Sequence, residues 1–130
     1  MKLSQKATAL LRGKNFAYLG TINKDGSPQV TPVWIDTDGK YVLVNTAVGR
    51  VKERNVARDP RVAISVFDYE DQYRGVSITG RVVKKLKGKR ADDDIDSLSF
   101  KYTGNRKYQG RNPAEKRITL FIEPTRVSER

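Results

Sequence analysis

The residues with the clearest chemical potential lie where an extended run gives way to a helical pattern. Asn45 and Thr46 end the extended run, Gly49 follows in a turn, and Arg50 and Lys52 open the helix. A helix N-terminus presents unpaired backbone N–H groups and a positive dipole end, so it stabilises a phosphate even before side chains contribute. A threonine adds a hydroxyl donor, an arginine a planar fork and a lysine a point charge. The pattern therefore predicts a phosphate cradle.

Lys52 favours this interpretation over a simple solvated helix face, which is the open alternative for Arg50 and Lys52. It falls at helical spacing from Val48 and Val56 and so shares their apolar face. A lysine on an inward face must either extend to solvent or meet a negative partner.

A second candidate is the run Thr31-Pro32-Val33-Trp34. Proline lacks an N–H donor and marks an edge or interrupted strand, which leaves neighbouring backbone groups free to meet a ligand. A flat heteroaromatic ring with donors and acceptors along its edge suits such a strand. The alternative is an edge-protecting Pro32 beside a core Trp34.

The chain contains no cysteine and no histidine. This excludes disulfides, thiolate and imidazole metal ligands, and every Ser-His or Cys-His nucleophile arrangement. We therefore predict no metal site and name no catalytic side chain.

Turns and periodicity predict the elements that must carry these residues. Asp25-Gly26 and Asp38-Gly39 are hairpin turns between extended runs. The first predicted element is a helix capped by Ser4 and ended by a left-handed Gly13. Strands are predicted at Phe16–Ile22, Gln29–Asp36, Tyr41–Val44, Arg61–Phe67, Arg74–Lys85 and Lys116–Glu123. A second helix at Gly49–Asp59 precedes the fourth strand, and a third helix, which buries Ala91, Ile95, Leu98 and Tyr102, precedes the last strand. About six strands joined mostly by short turns predict a mainly β fold, an antiparallel barrel or strongly curled sheet with peripheral helices.

The length of 130 residues predicts one domain, residues 1–130. A barrel of so few strands buries a small core and leaves edge strands open. We therefore expect a homodimer, which would supply burial and cover edges.

The charge is strongly basic, with 26 Lys and Arg against 15 Asp and Glu and a net charge of +11. The excess predicts an anionic partner, whether nucleic acid, a lipid surface or a phosphorylated small molecule. The basic cluster Lys84–Arg90 and the stretch Lys101–Arg117, with its interleaved tyrosines, keep a nucleic-acid-binding barrel open as an alternative. With no apolar span and no apolar leader in the pattern, we expect a cytoplasmic protein with no membrane partner.

Several motifs resemble the pyridoxamine 5′-phosphate oxidase-like flavoprotein superfamily, and more closely its branch of oxidoreductases that use the deazaflavin coenzyme F420. The motifs are Leu19-Gly20-Thr21-Ile22, Asp25-Gly26-Ser27-Pro28-Gln29-Val30-Thr31-Pro32-Val33-Trp34, Asn45-Thr46, Gly49-Arg50-Val51-Lys52-Glu53-Arg54-Asn55, Arg58-Asp59-Pro60-Arg61-Val62 and Ile122-Glu123-Pro124-Thr125-Arg126-Val127. The main resemblance runs from about Phe16 to Val83, and the stretch from Lys84 to Asn112 departs from it.

The resemblance implies a split β-barrel homodimer with FMN or F420 bound in clefts at the dimer interface. By matching motif, Thr31, Pro32, Val33 and Trp34 would follow the ring, while Asn45, Thr46, Arg50, Lys52 and Asn55 would hold the phosphate. Tyr73, Arg74, Gly75 and Val76 of the partner chain would approach the same cofactor.

The leading hypothesis is thus an oxidoreductase that passes a hydride between F420 or FMN and a small conjugated substrate. Because the cofactor carries the hydride, the lack of histidine and cysteine is no obstacle. A flavin or F420 carrier without turnover is the first alternative, since the site pattern predicts cofactor binding and is silent about a substrate.

Overall fold

Seven strands and three helices form within residues 2–130, the part of the chain that this computed structural model describes. They are α1 (Gln5–Arg12), β1 (Ala17–Ile22), β2 (Pro28–Val33), β3 (Ile35–Thr37), β4 (Val42–Ala47), α2 (Val51–Arg58), β5 (Arg61–Phe67), β6 (Gly75–Leu86), α3 (Lys89–Thr103) and β7 (Arg117–Glu129). The predicted mainly β architecture with peripheral helices is confirmed. Met1, the first residue of the predicted domain, lies outside the described residues.

All seven strands pair antiparallel in one sheet, in the order β2-β1-β5-β6-β7-β4-β3. The edge strands β2 and β3 are separated in sequence only by Trp34. Because one residue links the two edges, they must approach each other, and the sheet curls into the half-barrel of a split barrel. This confirms the expected curled antiparallel sheet.

The prediction of six strands was wrong, because the extended run Gln29–Asp36 is two strands. Val33 pairs with Ala17 on β1, whereas Ile35 pairs with Val44 on β4. Periodicity could not reveal the division, since both halves are extended and only their partners differ.

The core fills the concave side of the sheet and is covered at one end by α1. Leu19, Val44, Ile78 and Leu120 are almost fully buried there. Ser4 caps α1 as predicted, with its Oγ accepting from the Ala7 N–H at 3.1 Å.

Gly13 does not take the predicted left-handed conformation. Its φ is −70° and ψ is 165°, and its N–H donates to the Ala9 carbonyl. A Cβ at this position would lie 2.8 Å from Asn15 Nδ2, whose amide donates to the Leu10 carbonyl at the end of the helix. Close packing of Asn15, and not backbone freedom, therefore favours glycine here.

The last helix and last strand bring the C-terminal half of the chain onto the sheet. The predicted stripe Ala91, Ile95, Leu98 and Tyr102 is buried on α3 as expected. The prediction that β7 ends at Glu123 was wrong: it continues to Glu129, because the long β6 offers it partners across two register shifts. None of the helices within residues 2–130 has the length and apolar character needed to cross a membrane.

Candidate functional site

A cavity of about 430 Å³ opens between the end of β2, the strands β4 and β7, the start of α2, and α3. One wall is apolar and aromatic, formed by Phe16, Pro32, Val33, Trp34, Ile95, Leu98 and Tyr108. Another part of the lining, the cationic end, is polar and charged and is formed by Asn45, Thr46, Arg50, Lys52 and Arg117. This first cavity therefore has the shape and polarity to take a molecule with a flat apolar part and an anionic part.

Arg117 is the most unusual side chain at the cationic end. The antiparallel pairing of β4 with β7 brings it to the cavity, because Arg117 lies opposite Ala47 in the register of the two strands. Only 8% of the residue is exposed, its Nε donates to Asn45 Oδ1 at 2.9 Å, and its buried Nη1 has no partner among the described residues. A guanidinium stays charged in proteins, so a buried, unpaired N–H of this kind costs free energy unless an acceptor binds.

Asn45 positions this guanidinium. Its Nδ2 donates to the Ala91 carbonyl at 2.9 Å and contacts Thr119 Oγ1 at 3.3 Å, which leaves Oδ1 facing Arg117. Thr46, the next residue, carries a second buried atom without a partner in residues 2–130, its Oγ1. Both Thr46 and Arg117, which carry these two donors, line the first cavity.

Lys52 adds a charge that is not neutralised. It is half-buried, and in the described chain it forms no hydrogen bond or ion pair. Burial, followed by the nearby charges of Arg50 and Arg117, lowers the pKa of Lys52. Arg50 differs, because its Nη2 lies 2.9 Å from Glu115 Oε2.

The beginning of α2 contributes backbone donors at the same end. Gly49 has a φ of 93°, the left-handed conformation that glycine adopts without strain, and it turns the chain from β4 into the helix. Arg50 occupies the N-cap position but makes no side-chain capping hydrogen bond. The first N–H groups of a helix are unpaired within it, so they complement the cationic side chains.

The aromatic wall is held by stacking and by one carboxylate. Trp34 lies parallel to Tyr102, with ring centroids 5.5 Å apart and an interplanar angle of 6°. Tyr108 meets Trp34 edge on at 5.9 Å, and Arg117 stands over the Tyr108 ring at 5.4 Å. Asp96 fixes Tyr108 by accepting its backbone N–H at 2.9 Å.

The structure brings together seven of the thirteen residues predicted for the site. Pro32, Val33, Trp34, Asn45, Thr46, Arg50 and Lys52 all line the first cavity. The role of these residues in binding a cofactor stays a prediction.

The other six predicted residues do not line the cavity. Thr31 lies on β2 with a buried, unpartnered Oγ1. Asn55 ties α2 to the first hairpin, donating to Thr21 Oγ1 at 3.0 Å and to Asn23 Oδ1 at 2.9 Å. Tyr73 and Arg74 lie in an exposed turn, and Gly75 and Val76 begin β6. The prediction that this last group approaches the cofactor of a partner chain is not one that a single chain can test.

Sequence reasoning missed Phe16, Tyr108 and Arg117 as lining residues. Arg117 and Asn45 are 72 positions apart, and nothing local to Arg117 distinguishes it from other arginines. Ile95 and Leu98 were predicted as buried helix residues, and their spacing on α3 was the available signal. No group of three or more potential metal-ligating side chains occurs in residues 2–130.

Comparison with known proteins gives a consistent result. The family model described as pyridoxamine 5′-phosphate oxidase matches residues 3–130. The F420H(2)-dependent biliverdin reductase of Mycobacterium tuberculosis (strain CDC 1551 / Oshkosh) is 26% identical over 129 residues, covering 97% of this chain and 87% of that protein.

Solved structures agree in fold. A structure described as an F420 reductase has a TM-score of 0.83 at 26% identity, covering 97% of this chain and 98% of that one. The conserved hypothetical protein Rv2991 of Mycobacterium tuberculosis has a TM-score of 0.76 at 24% identity, covering 98% and 84% respectively. The latter likeness concerns the fold alone.

Proposed function

The chain belongs to the pyridoxamine 5′-phosphate oxidase family, and from that premise we propose that it is an oxidoreductase that binds F420 or FMN in the first cavity. The observation that carries the proposal is a pair of buried donors, Arg117 Nη1 and Thr46 Oγ1, which belong to residues lining an aromatic-walled cavity and have no partner within residues 2–130. Acceptor oxygens of a bound cofactor would satisfy these donors.

The cationic end would hold the phosphate of the cofactor. Lys52 and Arg117 supply charge and form no ion pair with a carboxylate within residues 2–130, and Thr46 supplies a hydroxyl. Asn45 acts through Arg117, since it holds the guanidinium by Nε and leaves Nη1 for the ligand. Hydrogen bonds between charged groups of this kind each contribute about 1.5–3 kcal/mol.

The aromatic wall would hold the ring. Pro32 lies on edge strand β2 and has no N–H, so backbone groups beside it are available to ring substituents. Trp34 is fixed by Tyr102 and Tyr108 and offers a rigid surface. A reduced cofactor held by these residues would supply the hydride for a two-electron reduction, with the accompanying proton taken from water. The side chains of the protein would bind and orient the cofactor and exclude water from it.

F420 is the cofactor that we propose first. Both a curated relative and a solved structure at 26% identity are named for F420. The net charge of +11 would also accommodate the glutamate tail of F420. FMN is the alternative cofactor in the same cavity.

We propose further that two copies form the complete site. The outward face of β1, β2 and β5 carries Tyr18, Gly20, Val30, Pro32, Ala63 and Ser65. These six residues are uncharged, although 32% of the residues in the chain are charged, and Arg61 borders them on the same face of β5. Val30 is 62% exposed. A second copy would bury it and could bring its own Tyr73, Arg74, Gly75 and Val76 to the cofactor, as the resemblance implies.

The test is a titration of purified, cofactor-stripped protein with F420 and with FMN, followed by turnover of the tighter complex with biliverdin. We expect micromolar or tighter binding of F420, and oxidation of the reduced cofactor only when substrate is present. Binding without turnover of any conjugated substrate would favour the carrier alternative. Failure of both cofactors to bind, together with salt-dependent binding of a short DNA duplex, would replace the proposal by nucleic-acid binding.

A further inference from the structure

A second cavity of about 350 Å³ adjoins the first. It is lined by Lys14, Phe16, Trp34, Tyr69, Tyr102 and Thr103. Phe16 and Trp34 line both cavities, so a molecule in the second would lie beside a molecule in the first. The two cavities therefore adjoin and have these two aromatic residues in common.

Four aromatic side chains give the second cavity flat surfaces. Trp34 and Tyr102 lie parallel, and Phe16 lies 6.5 Å from Tyr102 and 6.2 Å from Tyr69. Phe16 is 46% exposed and Tyr69 is 69% exposed, which leaves much aromatic surface in contact with water. A planar ligand would cover this surface and stack on it.

The free polar groups of the cavity are donors. Lys14 is exposed and, in the part of the chain described, makes no hydrogen bond or ion pair. The Tyr69 hydroxyl likewise has no partner there. The Tyr102 hydroxyl and the Thr103 hydroxyl are occupied, because they donate to the carbonyls of Asn15 and Ser99.

No carboxylate lines this second cavity in residues 2–130. Asp68 and Glu70 flank Tyr69 in sequence, but neither lines the cavity. Asp68 is directed to Arg74 at 3.4 Å and to the Glu70 N–H at 2.9 Å, and Glu70 is exposed. The cavity therefore combines flat aromatic walls with one unpaired cation and one free hydroxyl, which complements a planar anion.

We propose that the second cavity is the substrate site and that it takes a planar, conjugated molecule bearing a carboxylate. The conjugated system would stack on Phe16 and Tyr69, and the carboxylate would lie at Lys14. This inference rests on the proposed function, since a molecule in the second cavity is a substrate only where it meets the cofactor of the adjoining first cavity, beside Phe16 and Trp34.

A matched pair of probes tests the inference: 2-naphthoate and its neutral methyl ester, titrated by calorimetry into the protein with and without bound cofactor. We expect naphthoate to bind both forms with similar affinity and more tightly than the ester. Lys14→Gln should weaken naphthoate binding about twofold to fivefold, the scale of an exposed charged contact, and leave binding of the ester unchanged. Lys24→Gln, in the exposed turn after β1, is the control and should change neither.

Tyr69→Ala should weaken both probes, because it removes a stacking surface that they share, and its exposure makes the variant safe for the fold. Displacement of naphthoate by the cofactor would overturn the inference, as would equal affinities for the two probes with no effect of Lys14→Gln. Absence of naphthoate binding with normal cofactor binding would contradict this inference alone. If the protein binds neither cofactor but binds naphthoate with an affinity that Lys14→Gln lowers, the result would contradict the proposed function alone.

Discussion

Arg117 donates through Nε to Asn45 Oδ1 at 2.9 Å, and the Nη1 of the same guanidinium is buried without a partner in the described chain. One nitrogen is used to orient the group, and another is left for an acceptor. A buried charge held in this way is typical of a site that receives an anion, because such a group is otherwise costly.

Replacing this arginine should separate binding from folding. In Arg117→Gln, we expect cofactor affinity to fall by roughly 1.5–3 kcal/mol, about tenfold to a hundredfold. The cofactor-free protein should keep most of its stability, since the change also removes repulsion from Lys52 and Arg50. Titration and thermal unfolding measure the two effects. Arg126→Gln, at an exposed arginine on β7, is the control and should leave affinity unchanged.

The lowered pKa of Lys52 predicts that affinity depends on pH. Burial and two neighbouring arginines lower this pKa, and only the protonated amine attracts a phosphate. Affinity should therefore fall with rising pH, and the fall should begin below the ordinary lysine pKa of 10.5. Cofactor titrations across this range measure it. Lys52→Ala should bind more weakly and lose this dependence, and an unchanged pH profile in the variant would contradict the assignment.

Lys101 predicts a second pH effect, this time on stability. Burial lowers its pKa from 10.5 to about 8, and its Nζ donates to the carbonyls of Leu11 and Ile35. The unfolded chain then binds more protons between these two values, so Lys101 makes the protein more stable as pH rises from about 8 towards 10.5. Lys101→Met should flatten this part of the stability curve in urea unfolding. A curve of the same slope in both proteins would show that Lys101 is not its source.

Asp96 predicts a local effect on the aromatic wall. It accepts the Tyr108 N–H at 2.9 Å and Arg111 Nη2 at 2.8 Å, and these bonds outweigh burial and lower the pKa of Asp96. Asp96→Asn should cost about 1–2 kcal/mol of stability and speed amide hydrogen exchange in residues 104–116. Asp93→Asn, on the same helix and paired only with exposed Lys89, should do neither.

The outward patch on β1, β2 and β5 predicts the effect of one added charge on assembly. Val30→Lys should leave the fold intact, because Val30 is already exposed, but it should abolish the proposed dimer and weaken cofactor binding. Val83→Lys is the control, at a similarly exposed valine beside Lys84 and Lys85. Sedimentation of both variants measures the outcome. A dimeric Val30→Lys variant would contradict this interface.

Much of the fold could be predicted because the relevant signals are local. The turns at Asp25-Gly26 and Asp38-Gly39 join the expected hairpins, and α3 buries the expected stripe. The division at Trp34 could not be predicted, because each half of the run 29–36 finds its partner on a different strand.

The candidate site shows the same contrast. The order of residues along the chain is enough to place Thr46, Arg50 and Lys52 together, because one strand end, one turn and one helix start carry them within seven residues. Only the tertiary structure decided that Arg117 completes this cluster and that Phe16 and Trp34 line two adjoining cavities. Arg117 reaches Asn45 through the register of β4 with β7, and strand register between distant segments is set by packing of the whole core.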